Sequence, residues 1–199
     1  MILPYLQERF GLNNEFYIDK IKELEKHGYV KVRFSNDGKT DSVNSISCDL
    51  TDLGRSKIKI VLVGGVFDLL HPGHIYTLRS AKSLGDLLVV IVATTSTALK
   101  LKKNRKIYHD EIHRQELVSS LSFVDLALIG KEGTLYDSVS FVKPDIIALG
   151  YDQSHDEKEI QKNCLERGIN LQVIRLTSPI PAIKSTLIKK ELGNSFYDI

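Results

Sequence analysis

From Ile58 onward, short apolar runs rich in β-branched residues alternate with stretches whose apolar positions recur at helical spacing. The runs are IKIVLV (58–63), LLVVIVA (87–93), LALIG (126–130), DIIALG (145–150) and NLQVIRL (170–176). Runs that stay apolar without alternating are the mark of strands covered on both faces. The helical patterns fall near 73–84, 111–121, 135–142, 155–167 and 184–192. Strands that alternate with helices predict an α/β fold with a doubly wound, five-stranded parallel sheet. Sheets of this kind bind ligands beyond the carboxyl ends of their strands, near the point where strand order reverses. Three polar segments stand at such ends: GGVFDLLHPGH (64–74), TTSTALKLKKNRK (94–106) and GYDQSH (150–155).

Residues 1 to 57 have a different texture. Tyr17, Ile21, Leu24 and Gly28 lie at helical spacing in NEFYIDKIKELEKHGYV, with Gly28 placed to end that helix. VKVRF and ISCDL alternate and flank the loop SNDGKTDSVNS. A helix, a hairpin and LTDLGRSK, in that order, resemble the back half of a winged-helix domain. The expected organisation is therefore a small winged-helix-like α+β accessory domain at 1–57 and the α/β domain at 58–199. Winged helices usually bind DNA, which calls for a basic face. Here nine Lys/Arg are matched by nine Asp/Glu over residues 1–57, so packing or dimerisation is the expected role.

Composition narrows the class. In 199 residues, 42% are hydrophobic and 26% charged, which fits a soluble globular protein. A net charge of +2 makes no electrostatic case for nucleic acid or membrane surfaces. The stretch DLLVVIVATTSTAL turns polar after about seven positions, too few to span a bilayer, and residues 1–20 lack the apolar centre of a signal peptide. Cys48 and Cys164 form neither a disulfide framework nor a metal-ligand spacing. The expectation is a cytoplasmic protein, off the membrane, with two reduced cysteines.

The turn at 64–74 carries the chemistry. A glycine-bearing loop that runs into a helix exposes unpaired N–H groups at the positive end of the helix dipole, where anions bind. His71 and His74, three apart, share one face of the first helical turn and can address the same phosphate. Pro72 suits the first helical position, where no N–H is needed, and Gly73 leaves the space above the turn clear. Imidazole donors there would stabilise the charge that builds up as pyrophosphate leaves.

HPGH after GVFDLL resembles the H-x-G-H signature of the cytidylyltransferase-like nucleotidyltransferases, and the resemblance extends over most of residues 58 to 192. SAKSLGDLLVVIVA, HRQELVSSLSFVDLALIG, KPDIIALGYDQ and KSTLIKK follow in the family's order. PDIIALGYDQ and KSTLIKK look most like the archaeal FAD synthases, which adenylylate FMN. The resemblance implies direct, in-line attack of an FMN phosphate oxygen on the α-phosphorus of ATP. Mg²⁺ would be held mainly through the triphosphate, with no metal ligands from the protein. It assigns His71 and His74 to catalysis, and brings a base from the run at Lys100, Lys102, Lys103, Arg105 and Lys106 onto the phosphates, with Lys103 and Arg105 chosen. It places Gly65, Val66, Phe67, Asp68 and Gly73 of the turn at the nucleotide, with Asp68 holding the loop or the incoming substrate. Gly150, Tyr151, Asp152 and Gln153 of GYDQ would meet the nucleotide too, Gly150 by permitting close approach and Tyr151 by stacking. Arg114 matches a family arginine that contacts phosphate or serves a structural ion pair. Lys184, Ser185 and Thr186 would form a second phosphate clamp at a helix start, a place that also suits a simple N-cap.

The chain departs from the family at Val66, where Thr is common, at Thr95, where Asp is common, and in having no cysteine after Cys164. Two other readings stand beside FMN adenylylation. One is a CTP-dependent cytidylyltransferase acting on glycerol 3-phosphate or a similar phospho-alcohol, which shares the H-x-G-H site. The other is a nucleotide-sensing regulator that binds DNA through the N-terminal segment. The intact histidines argue for turnover, the neutral N-terminus argues against DNA, and the family's habit of pairing implies a homodimer.

Overall fold

The computed structural model describes residues 11, 13–34, 46–101, 107–131 and 134–177. The chain divides into two compact units, residues 1–58 and 59–199.

The first unit holds helix α1 (Asn14–Lys26), strands β1 (Val30–Phe34) and β2 (Ile46–Leu50) and the short helix α2 (Asp52–Ser56). The Asn13 side chain accepts from the Phe16 N–H at 2.9 Å and starts α1. Gly28, at φ 74°, ends it: the Tyr29 N–H reaches the Leu24 carbonyl at 3.0 Å and the Gly28 N–H that of Glu25 at 2.8 Å. The two strands pair antiparallel, with Val30 opposite Leu50. Tyr17 is buried against Ile18, Ile21 and Val32. The rest of the expected winged helix falls on residues 1–10 and 35–45, outside the described residues.

The second unit runs β3 (Ile60–Gly65), α3 (Pro72–Lys82), β4 (Leu87–Val92), α4 (Thr95–Leu101), α5 (Glu111–Ser119), β5 (Leu126–Ile129), α6 (Leu135–Val142), β6 (Ile146–Leu149), α7 (Glu157–Glu166) and β7 (Gln172–Arg175). The five strands form one parallel sheet in the order β5-β4-β3-β6-β7. This is the doubly wound, Rossmann-like α/β arrangement that the unbroken apolar runs predict. Strand order reverses between β3 and β6, and Val61 and Leu62 pair there with Ile146 and Ile147. One face of the sheet buries Val61, Val63, Leu88, Val90 and Val92 with Leu78 and Ala81 of α3 and Val118 of α5. Leu62, Ile147, Leu149, Val139, Ile160 and Cys164 are buried as well.

The amino-terminal edge is capped by carboxylates. Asp145 accepts from the Ile60 N–H and Asp125 from the Leu88 N–H, each at 2.7 Å, and Asp86 from the Lys59 N–H at 2.7 Å. β3 starts at Ile60, two residues later than the run 58–63 suggests, where ladder pairing with Leu87 begins. It continues through Gly65, whose carbonyl accepts from the Ala93 N–H at 2.9 Å.

The segment after β4, read as a polar loop, opens as helix α4. The Thr94 hydroxyl caps the Thr97 N–H at 3.2 Å, and Ala98 is buried. The helix expected at 184–192 lies outside the described residues. No helix among the described residues is long and apolar enough to cross a membrane.

Candidate active site

The turn after β3 is built by a conflict of space. A Cβ on Gly65 would lie 2.7 Å from ring atoms of Phe67, so only glycine lets that ring fold back over the strand end. Phe67 itself sits at φ 53°, an uncommon backbone state for a bulky residue and of a kind that concentrates at functional turns. Its ring is 5% exposed and meets the His74 ring edge-on at 5.4 Å. His71 is the N-cap of α3 and Pro72 follows inside the first turn. The His74 N–H turns back to the His71 carbonyl at 2.9 Å, and the two imidazoles come together with centroids 3.9 Å apart. The i, i+3 spacing therefore does pair the histidines, at a helix N-terminus where an anion is favoured.

Asp68 and Arg114 hold this turn from behind. The Asp68 carboxylate accepts from the N–H groups of Tyr108 and His109, at 2.9 and 3.0 Å. Arg114 is 0% exposed. It donates to the carbonyls of Val66 and Ala93 at 2.7 Å each and to that of His109 at 2.9 Å, with the Thr95 hydroxyl at 3.3 Å. One side chain thus ties the turn after β3, the end of β4 and the segment before α5. Burial pulls its pKa below the ordinary arginine value, while the Asp68, Glu111 and Asp110 carboxylates oppose that. Of the two roles open to Arg114, phosphate contact or structure, the buried guanidinium fits the second. Phe67 and Asp68 likewise shape the turn rather than line an open surface.

Thr95 stands where the family commonly has Asp, yet an acid is present there. The Glu111 carboxylate accepts from both the N–H and the hydroxyl of Thr95 and lies 3.9 Å from Arg114. The Thr95 hydroxyl holds the Glu111 carboxyl below its usual range, with backbone N–H groups and Arg114 adding to it.

Across the switch point, the loop after β6 is equally fixed. Gln153 accepts from the Gly150 N–H at 3.0 Å and donates to the Gly64 carbonyl at 2.8 Å, joining the ends of β6 and β3. Arg175 donates to the carbonyls of Gln153 at 2.8 Å, Gly150 at 3.2 Å and His155 at 2.6 Å, and pairs with Glu157 at 2.6 Å. Tyr151, half-buried, and Asp152, exposed, form the crest of the loop. Among the described residues, a Cβ on Gly64 would meet nothing within 4 Å, and one on Gly150 nothing closer than 3.7 Å. The described residues therefore leave space at these two strand ends. Arg175 and Glu111 have no signal in the sequence beyond their type, since each acts through a partner distant in the chain. Gln153 is marked there by GYDQ, but for the nucleotide rather than for the Gly64 carbonyl it holds. Lys103, Arg105, Lys184, Ser185 and Thr186 lie outside the described residues.

A strand–turn–helix with paired imidazoles at the switch point of a parallel sheet narrows the comparison with known proteins. The sequence model of the cytidylyltransferase-like family matches residues 62–191. The chain belongs to the cytidylyltransferase-like family. Among curated members, the FAD synthase of Aciduliprofundum boonei is 51% identical over 116 residues, covering 58% of this chain and 76% of that protein. The FAD synthase of Picrophilus torridus is 44% identical over 126 residues, 63% of this chain and 89% of its own. Among solved structures, a protein described as a lipopolysaccharide core biosynthesis protein, from Thermoplasma volcanium, superposes with a TM-score of 0.59 at 45% identity. That superposition covers 61% of this chain and 98% of the other. The family match begins past the first unit, at residue 62.

Proposed function

We propose that this chain is an FMN adenylyltransferase, transferring the AMP moiety of ATP to FMN with release of pyrophosphate to give FAD. The observation that carries the reading is the His71–His74 pair, 3.9 Å between centroids, at the N-terminus of α3 and beside the pinned GYDQ loop. The identity to curated FAD synthases supports the choice of substrates.

A phosphate oxygen of FMN attacks the α-phosphorus of ATP and forms the new P–O bond. The bond from that phosphorus to the bridging oxygen breaks opposite the attack, and the electron pair leaves on pyrophosphate. A phosphate monoester is already a nucleophile near neutral pH, so the protein's share is positioning and charge neutralisation. The rings of His71 and His74 bind the triphosphate and meet the charge that grows on the leaving oxygens. Gly64 and Gly150 let the nucleotide approach both strand ends, and Tyr151 stacks on its base. Asp68 and Arg114 hold the turn still during transfer. Lys103 or Arg105 and the Lys184, Ser185 and Thr186 group add cations and hydroxyls on the phosphates.

Mg²⁺ would supply charge neutralisation on the triphosphate, arriving with ATP and keeping water as most of its other ligands. The first unit, residues 1–58, is an accessory module for packing or pairing, and the enzyme works in the cytoplasm.

A matrix assay tests the reading: protein with Mg²⁺, ATP or CTP, and FMN or glycerol 3-phosphate, followed by chromatography and pyrophosphate release. FAD from ATP plus FMN alone is the expected result. A CDP-alcohol from CTP would overturn it in favour of cytidylyl transfer.

A further inference from the structure

His109 lies between α4 and α5 at the carboxyl edge of the sheet, and the transfer described above gives it no task. Three of its groups are nevertheless fixed. Its N–H donates to Oδ1 of Asp68 at 3.0 Å, its carbonyl accepts from Nε of Arg114 at 2.9 Å, and its ring Nδ1 lies 2.8 Å from the Asp68 carbonyl oxygen. A carbonyl only accepts, so Nδ1 carries the ring proton and the lone pair belongs to Nε2. The ring is 41% exposed, and Nε2 makes no hydrogen bond to a described residue. Asp68 precedes His71 by three positions, so this third imidazole is anchored to the same turn as the catalytic pair. A loop histidine held at backbone donor, backbone acceptor and one ring nitrogen presents the other nitrogen in a set direction, as a second-shell bond does for a metal-bound histidine.

Sheet order separates it from the GYDQ loop. The GYDQ loop follows β6 on one side of β3, and His109 belongs to the crossover that leaves β4 on the other side. His71 and His74 follow β3, between the two. With the base read onto the GYDQ loop, His109 stands on the side of the histidine pair away from the base, which leaves its ring to the acceptor.

We propose that Nε2 of His109 binds the phosphate monoester of the acceptor substrate. This rests on the nucleotidyl-transfer reading but not on the acceptor being FMN. The contact is Nε2–H···O–P and contains one proton. The proton between Nε2 and the phosphate oxygen comes with either partner, the ring or the monoester. No covalent bond forms or breaks at His109. Several charged or titratable groups surround the ring. The Asp68 carboxylate is 3.7 Å from Nδ1, Arg114 lies on the carbonyl side, and Tyr108 precedes it. The Asp110 carboxylate is taken up by His113 at 2.9 Å and that of Glu111 by Thr95.

Two variants separate binding from structure. In His109→Asn the amide nitrogen takes the place of Nδ1 and still donates to the Asp68 carbonyl, but nothing replaces Nε2. In His109→Ala both are lost. Initial rates are measured against FMN and against MgATP, with urea unfolding of each protein. The expected result for His109→Asn is a KM for FMN raised about tenfold or more, an unchanged KM for ATP and an unchanged unfolding midpoint. An Asn variant that matches wild type in FMN KM, beside a destabilised Ala variant, overturns the assignment and leaves His109 structural. If wild type uses another phosphate monoester in place of FMN, the FMN reading fails and the same comparison is made with that acceptor. A wild type inactive with every phosphate monoester overturns both.

Discussion

Arg114→Ala decides whether the site is braced from behind or whether this guanidinium meets a phosphate. The side chain is wholly buried and serves the carbonyls of Val66, Ala93 and His109, which belong to three separate segments. Truncation leaves three acceptors short of a donor, at about 1–3 kcal/mol each where water cannot replace it. The sum overstates the loss, because the turn at 66–74 and the segment 107–110 can open locally and admit water. Removing one partner from a buried charged network costs about 3–5 kcal/mol, and that range is expected here. Lysine should recover little of it, since one ammonium on a flexible stem cannot reach three carbonyls arranged around a planar fork. The assay is urea unfolding, with the ATP dissociation constant and FAD synthesis measured on the same preparation. Stability, ATP binding and turnover should fall together. A variant as stable as wild type, with only its ATP affinity reduced, would refute the reasoning, because the guanidinium would then be a phosphate ligand.

The sheet was legible because its strands are covered on both faces, so unbroken apolar runs such as LLVVIVA leave little choice of element. The paired histidines were legible for a similar reason: strand, glycine turn and Pro72 fix where the helix starts, and i, i+3 spacing then puts both rings together. Helix α4 is not legible because it opens on TTST, residues of low helix propensity, and its better helix formers come only at residues 98–101. Its start is stabilised by the Thr94 hydroxyl and by Glu111, sixteen positions further on, and no local pattern carries that contact. Arg114 illustrates a different limit. A lone arginine opening a helix reads equally well as a phosphate ligand or a structural ion, and only burial separates the two. Arg175 is an ordinary polar residue in the sequence and Gln153 reads there as part of the nucleotide-facing GYDQ; what both hold in the fold depends on which carbonyls the sheet order brings within reach. The same holds for the acid at Thr95. Its absence from that position reads as a loss, whereas the fold returns a carboxylate from α5.

Other expectations can be checked on the same preparations. His71→Ala and His74→Ala should each raise the barrier to transfer by about 2–4 kcal/mol while leaving ATP affinity nearly intact; equal losses in kcat and in ATP binding would reduce both residues to docking. Gly65→Ala puts a Cβ 2.7 Å from the Phe67 ring, and the overpacking should cost about 1–3 kcal/mol in urea unfolding. The double variant Gly65→Ala/Phe67→Ala should be no worse than Phe67→Ala, since the clash has then gone. Glu111→Gln tests the clamp on Thr95 through pH. The folded-state pKa of Glu111 is depressed, chiefly by the Thr95 hydroxyl, so its contribution is present above the unfolded carboxyl value and is lost as pH falls through the lower, folded value. The glutamine amide oxygen can still accept from Thr95 but cannot ionise. The variant should therefore be less stable than wild type at neutral pH, and the two unfolding midpoints should converge as the pH drops through the carboxylate range. Parallel curves across that range would mean that the Glu111 charge contributes nothing to holding the start of α4.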